Sequence, residues 1–162
     1  MQVLCGIGDN GGDGLAIARL LYERDYSVTV YVLKFSDNLT KDFKRNLESL
    51  RYRSIEIIYV EPGDKLPNLD VKSLTIDAIL GSGLSRPVEG WLGEIIQQVN
   101  ETVKTIIAVD IASGLFADEH TEKNSILPKQ TFCFELPKLA FFFTENYARV
   151  GDWYVDTIHS SK

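Results

Sequence analysis

Apolar positions along the chain alternate between short continuous runs and runs of helical period. Val3-Leu-Cys-Gly6 is an apolar run closed by glycine, the pattern of a buried strand. Leu15, Ile17, Ala18, Leu21 and Tyr22 recur at helical spacing, which predicts a helix from Asp13 to about Asp25. Ser27 to Leu33 is β-branched and aromatic, a second strand. From Lys41 to Tyr52, Phe43, Leu47 and Leu50 share one face with charges between them, a second helix. Ser54–Val60 reads as a third strand, the proline- and glycine-bearing stretch Glu61–Asn68 as a surface loop, and Ser73–Leu80 as a fourth strand. Gly90 to about Glu101 follows as a helix and Thr105–Asp110 as a fifth strand.

Strands alternating with helices of this length form right-handed βαβ units, which bury parallel strands under helices on both faces. The expected fold is α/β, a three-layer, doubly wound, mostly parallel sheet. After Asp110 the alternation lapses. Ser113–Lys129 reads as loop, Thr131–Glu135 as a strand, and Trp153–Ile158 as a last edge strand for which antiparallel pairing is open. Internal repeats, low-complexity tracts and linkers are absent from the sequence, so residues 1–162 read as one domain.

Composition narrows the function. A chain of 162 residues with 44% apolar and 25% charged residues buries roughly 70% of its unfolded surface, enough for a core without disulfides or structural metal. A net charge of −6, with Lys and Arg dispersed, gives no footprint for a nucleic-acid partner. The longest apolar runs, such as Leu139–Phe143, fall far short of the roughly 20 residues a membrane helix needs, and no signal-peptide pattern opens the chain, so a cytoplasmic protein is expected. Cys5 and Cys133 sit in apolar strand-like runs and read as reduced core thiols. His120 and His159 have no Cys, His or carboxylate at ligand spacing, which argues against zinc chemistry and a Ser-His pair.

In open parallel sheets, ligands bind beyond the carboxyl ends of the strands. Three unusual segments fall there: Gly6–Gly14, Asp77–Arg86 and Asp110–Gly114. Gly6, Gly8 and Gly11 match the G-x-G-x-x-G spacing of dinucleotide-binding turns, whose bare backbone N–H groups approach a pyrophosphate. Asp9 and Asp13 flank that turn and would repel a diphosphate, and Asp13 has the alternative reading of a helix-start carboxylate stabilising the macrodipole. Gly81-Ser-Gly-Leu-Ser-Arg86 carries a guanidinium that can fork onto phosphate and precedes the helix near Gly90, making it the better phosphate site of the two. Asp77 and Asp110 lie in apolar strand runs, where a charge is costly unless paired or coordinated. With Asn10, Ser113 and loop carbonyls they would form an oxygen-rich cluster suited to a monovalent or weakly held cation rather than to a high-affinity calcium or zinc site.

These motifs resemble the YjeF N-terminal domain family, the NAD(P)H-hydrate epimerases, over nearly the whole chain. The resemblance rests on G-x-G-D-N-G-G-D-G-L at 6–15, D-A-x-x-G-x-G-L-x-R at 77–86, D-I-A-S-G-L at 110–115, Thr131-Phe-Cys-Phe with Pro137-Lys138-Leu139, and Gly151-Asp-Trp-Tyr-Val. It implies a Rossmann-like enzyme that interconverts the R and S forms of hydrated NADH or NADPH. It implies substrate contacts from Asp9, Asn10, Gly11, Gly12 and Asp13, from Gly81, Ser82, Gly83, Leu84, Ser85, Arg86 and Pro87, and from Asp110. It also implies a potassium ion on Asn10, Asp77 and Ser113. The sequence differs from the usual pattern at Asp9, where the family has Asn, and at Ala112, where it has Pro. The family carries an N-terminal helical segment, whereas this sequence opens at the first strand.

Such an epimerisation needs one proton shuttle: the ring nitrogen's lone pair expels the adjacent hydroxyl with acid assistance, and water returns on the other face. Asp110, as a partly buried carboxylate, is the expected general acid/base. The expected functional partner is a nucleotide-dependent hydrate dehydratase, which the family often carries in fusion. Tyr147, Trp153 and Tyr154 fit either a homodimer surface or core packing. Two other readings stay open on sequence alone: a non-catalytic scaffold of the same fold, as in messenger-RNA decapping enhancers, and a nicotinamide-dependent dehydrogenase. The latter lacks a catalytic His, a Tyr-Lys pair and a substrate domain.

Overall fold

The computed structural model describes residues 1–67, 69–121 and 123–157. Its seven strands are β1 (Gln2–Cys5), β2 (Thr29–Leu33), β3 (Glu56–Val60), β4 (Thr75–Ala78), β5 (Ile106–Val109), β6 (Gln130–Phe134) and β7 (Asp152–Asp156). They form one sheet in the order β3-β2-β1-β4-β5-β6-β7, and every neighbouring pair is parallel. Strand order reverses between β1 and β4, which opens a crevice at their carboxyl ends.

The helices are α1 (Asp9–Tyr22), α2 (Lys41–Leu50), α3 (Gly90–Thr102) and the single turn α4 (Tyr147–Val150). Alternating strand side chains divide the core in two. Val3, Cys5, Val30, Val32, Ile76 and Ala78 pack with Leu15, Ala18 and Phe43 on the α1–α2 face. Leu4, Tyr31, Leu33 and Ala108 pack with Ile95, Ile96, Val99 and Phe141 on the α3 face. This is the three-layer, doubly wound arrangement expected from the pattern.

The last strand removes the antiparallel alternative. β7 pairs with β6 in parallel, Thr131 opposite Trp153 and Cys133 opposite Val155. Residues 139–150 make this possible: two 3-10 turns, Leu139–Phe142 and Thr144–Asn146, and then α4 supply a crossover of the dozen or so residues that a parallel return requires. All five β7 residues are exposed, and Tyr154 stacks on Phe132 with centroids 5.3 Å apart. The expected β7 tail at Ile158, like His159, lies outside the described residues. Among the described residues no helix is long and apolar enough to cross a membrane. Both cysteines are free and buried.

The helix after β1 starts four residues before its expected first residue, Asp13, and takes in most of the glycine run. Glycine lowers helix propensity, but tertiary contact reverses the preference. A Cβ at Gly11 would lie 2.0 Å from the Gly6 carbonyl oxygen, and one at Gly14 2.6 Å from the Ala78 Cβ. The missing side chains let α1 lie directly on the ends of β1 and β4.

Candidate active site

Beyond the carboxyl ends of β1, β2, β4, β5 and β6 lies a cleft of about 670 Å³, within the range of small-molecule and cofactor pockets. Its apolar wall includes Phe35, Ile79, Leu84 and Phe134. Asp9, Asn10 and Asp13 enter from one face of α1, Gly81 through Arg86 from the loop after β4, and Asp110 from the end of β5. Ten of the thirteen residues expected to contact the substrate line this cleft.

 The other three, Gly11, Gly12 and Pro87, lie outside that lining. Gly11 and Gly12 are buried at packing contacts: Gly11 against the Gly6 backbone, and Gly12 against α2, where a Cβ would lie 3.2 Å from the Phe43 nitrogen. Pro87 lines a separate, smaller pocket beside Val88 and His120.

The helix start that opens on the cleft belongs to α1, through Gly8, Asp9 and Asn10, and not to α3. This revises the sequence ranking of the two glycine turns: Arg86 does line the cleft, but the dipole facing it is that of α1. Asp13 sits in the second turn of α1, so it is not the helix-start residue. Its carboxyl is pushed up to about 6, first by lost solvation and then by the charges of Asp110, Asp9 and Asp42.

Below the cleft lies the oxygen cluster. Asp77 is fully buried. Its Oδ2 accepts from the Ser113 backbone N–H at 2.8 Å, and its Oδ1 accepts from the Ser113 hydroxyl at 2.5 Å and from the Ile79 N–H at 3.2 Å. Burial pushes its carboxyl up to about 6 against the pull of these bonds. The Ser113 Oγ also accepts from the Leu80 N–H at 2.8 Å, and the Leu80 carbonyl accepts from the Asn10 side-chain amide at 2.9 Å. Asn10, Asp77 and Ser113 are thus joined through Leu80. The Asn10 Oδ1 is buried without a hydrogen-bond partner. An orphaned acceptor in the same network as a desolvated carboxylate fits a hard cation. Among the described residues there is no group of three His, Cys, Asp or Glu side chains that would suit a transition metal.

Asp110 has φ 65°, and the Ile111 N–H donates to the Val109 carbonyl across it at 2.8 Å. That is a γ-turn of the rare positive-φ kind, a strained conformation typical of functional sites. The Asp110 Oδ1 accepts from Lys138 Nζ at 2.8 Å and from the Phe134 N–H at 3.2 Å. Lys138 stands within the Pro137-Lys138-Leu139 motif with nothing in the sequence to mark it for the site, and the walls Phe35 and Phe134 are equally unmarked. Alternating polarity cannot reveal these residues, because each reaches the cleft only through the order in which the strands are laid side by side. His120 Nδ1 lies 3.6 Å from Glu145 Oε1, away from the cleft.

Fold and site together define a doubly wound α/β domain with a carboxylate-bearing cleft at its topological switch point. A family profile described as YjeF-related protein N-terminus matches residues 1–140, and the chain belongs to that family. A bifunctional NAD(P)H-hydrate repair enzyme of Thermofilum pendens is 33% identical over 160 residues, covering 96% of this chain and 30% of that protein. An NAD(P)H-hydrate epimerase of Lentilactobacillus buchneri is 32% identical, covering 96% of this chain and 71% of that one. The epimerase of Anaerococcus prevotii is 39% identical over 72% of this chain and 55% of its own. The crystal structure of the yeast protein YNL200c superposes with a TM-score of 0.78 at 26% identity, covering 96% of this chain and 65% of that chain. The chain spans 30 to 55% of the length of the first curated relatives it matches.

Proposed function

We propose that the domain epimerises hydrated NADH or NADPH, interconverting the R and S forms so that a nucleotide-dependent dehydratase, as a separate partner or a fused domain, can act on one of them. The observation that carries this reading is the position of Asp110. A carboxylate on a strained turn faces the same cleft onto which the start of α1 opens and under which the oxygen cluster lies. The names of the relatives point the same way: two are epimerases and one is a bifunctional hydrate repair enzyme.

The backbone N–H groups at the start of α1 and the Arg86 guanidinium offer donors for the diphosphate, and Phe35, Leu84 and Phe134 offer apolar surface for rings. Asp110 is the proton-transfer group for the oxygen that leaves and returns at the reacting carbon. Lys138 and the Phe134 N–H hold its Oδ1, which fixes the direction in which its Oδ2 is presented. Asn10, Asp77 and Ser113 would hold the potassium ion, which supplies a positive charge beside the buried Asp77 carboxylate. The reaction consumes no reducing equivalents, which separates it from a dehydrogenase. The test is chiral separation of R and S hydrates after incubation with the protein, alongside absorbance of NADH. Interconversion faster than in protein-free buffer with no NADH oxidation is expected. Hydride loss, or no acceleration, overturns the reading.

A further inference from the structure

A second carboxyl shares the cleft with Asp110. Asp9, Asn10 and Asp13 fall on one face of α1, so that Asp13 is presented to the cavity one turn further along the helix than Asp9. Asp13 is exposed there, and Asp110 is near enough for its charge to act on it. We infer that Asp13 is the second catalytic residue of the proposed epimerisation, forming with Asp110 an acid–base pair in which one carboxyl serves each face of the ring. The inference rests on the reading above, since it assigns a role within that reaction.

The surroundings of the two groups differ in the way an acid–base pair requires. Asp110 faces an ammonium, with Lys138 Nζ 2.8 Å from its Oδ1. Asp13 has no cation among the groups that set its protonation. It faces Asp9 on its own helix, Asp42 on α2 and Asp110 at the end of β5, and together with lost solvation they push its carboxyl up to about 6. Arg86 is the other cationic residue on the lining besides Lys138. The two carboxyls thus sit in different surroundings, Asp110 against an ammonium and Asp13 among other carboxylates.

In one direction, Asp13 gives its proton to the ring hydroxyl. The C–O bond breaks, its electron pair leaves with the oxygen as water, and the ring nitrogen's lone pair forms the C=N bond. Water then adds to the opposite face. Its oxygen forms the new C–O bond, the C=N π electrons return to nitrogen, and Asp110 takes the released proton. Return of that proton to Asp13 resets the pair, and the reverse reaction exchanges the two roles. Both directions use the singly protonated pair, so kcat/KM falls as pH rises through the Asp13 titration.

The test is the pH profile of kcat and kcat/KM for epimerisation by the full chain, for the unsubstituted protein, Asp13→Asn and Asp42→Asn, with thermal unfolding of each. Asp13→Asn is expected to lower kcat by about 10²–10⁴-fold, the range for losing a general acid or base, with KM little changed and the alkaline limb gone from the remaining activity. Asp42→Asn removes a charge outside the cleft and is expected to move that limb to lower pH. If Asp13→Asn fails to fold, the shift in Asp42→Asn decides the matter. An Asp13→Asn protein that keeps its kcat, or loses only affinity, overturns the inference while the epimerase reading stands. An unsubstituted protein no faster than buffer at every pH overturns both.

Discussion

Replacing Gly14 by alanine separates helix propensity from packing. In an isolated helix the change would gain about 1 kcal/mol. Here the added methyl would sit 2.6 Å from the Ala78 Cβ and 2.8 Å from the Cys5 Sγ, where carbon contacts are optimal at about 3.5–4.0 Å. The Ala78 Cβ cannot rotate away, and Cys5 is fully buried, so α1 has to move back by about 1 Å. Such overpacking costs up to about 3 kcal/mol, leaving a net loss of about 2 kcal/mol after the propensity gain. For a chain of this size that loss lowers the unfolding temperature by about 4–8 °C. Urea unfolding should show a lower midpoint with an unchanged slope. Gly8→Ala is the control, because nothing lies within 4 Å of the added carbon, and should cost less than about 1 kcal/mol. Because Asn10 and Asp13 ride on the same helix, Gly14→Ala should also impair any activity of the cleft. A Gly14→Ala protein as stable as the parent would refute the packing argument.

Asp110→Asn should lower turnover by about 10²–10⁴-fold, measured by chiral separation of the hydrates. Potassium should stabilise the fold by about 1.4 kcal/mol at tenfold excess over its dissociation constant, rising logarithmically beyond that, and should raise the unfolding temperature accordingly. Asn10→Ala should abolish that rise. Asp13→Asn should report the pH linkage of the cleft. The Asp13 value is raised in the folded state, from 3.8 to about 6, so the folded protein binds more protons across that window and loses stability as pH rises through it. The variant lacks this penalty: denaturant unfolding should find it more stable than the parent at pH 8, with the difference shrinking as pH falls and vanishing only below the unfolded value of 3.8.

The strands and most helices were legible because period and length agree for each: Thr29–Leu33 and Ile106–Val109 are continuous apolar runs, and Phe43, Leu47 and Leu50 mark one helical face. The start of α1 was not, because glycines at Gly11 and Gly14 argue against a helix locally and are required by the approach of α1 to β1 and β4. The parallel pairing of β7 was hidden because its crossover is built from short 3-10 turns that carry no amphipathic period. At the site, the glycine turns and the isolated carboxylates Asp77 and Asp110 stood out from their apolar surroundings. Lys138 and Phe35 did not, since a lysine or phenylalanine in a loop has many ordinary explanations. Gly11 and Gly12 lie outside the cleft lining at close packing contacts, a placement that the motif's spacing does not reveal.

The most direct test of the central claim starts from one pure hydrate of NADPH in water enriched in oxygen-18, with the protein and potassium present, and follows the other form by chiral chromatography and mass spectrometry. Expulsion and return of the hydroxyl predict that the opposite epimer appears faster than in protein-free buffer and carries the heavy oxygen. An epimer that forms no faster than in buffer, or that keeps its original oxygen, would contradict the account.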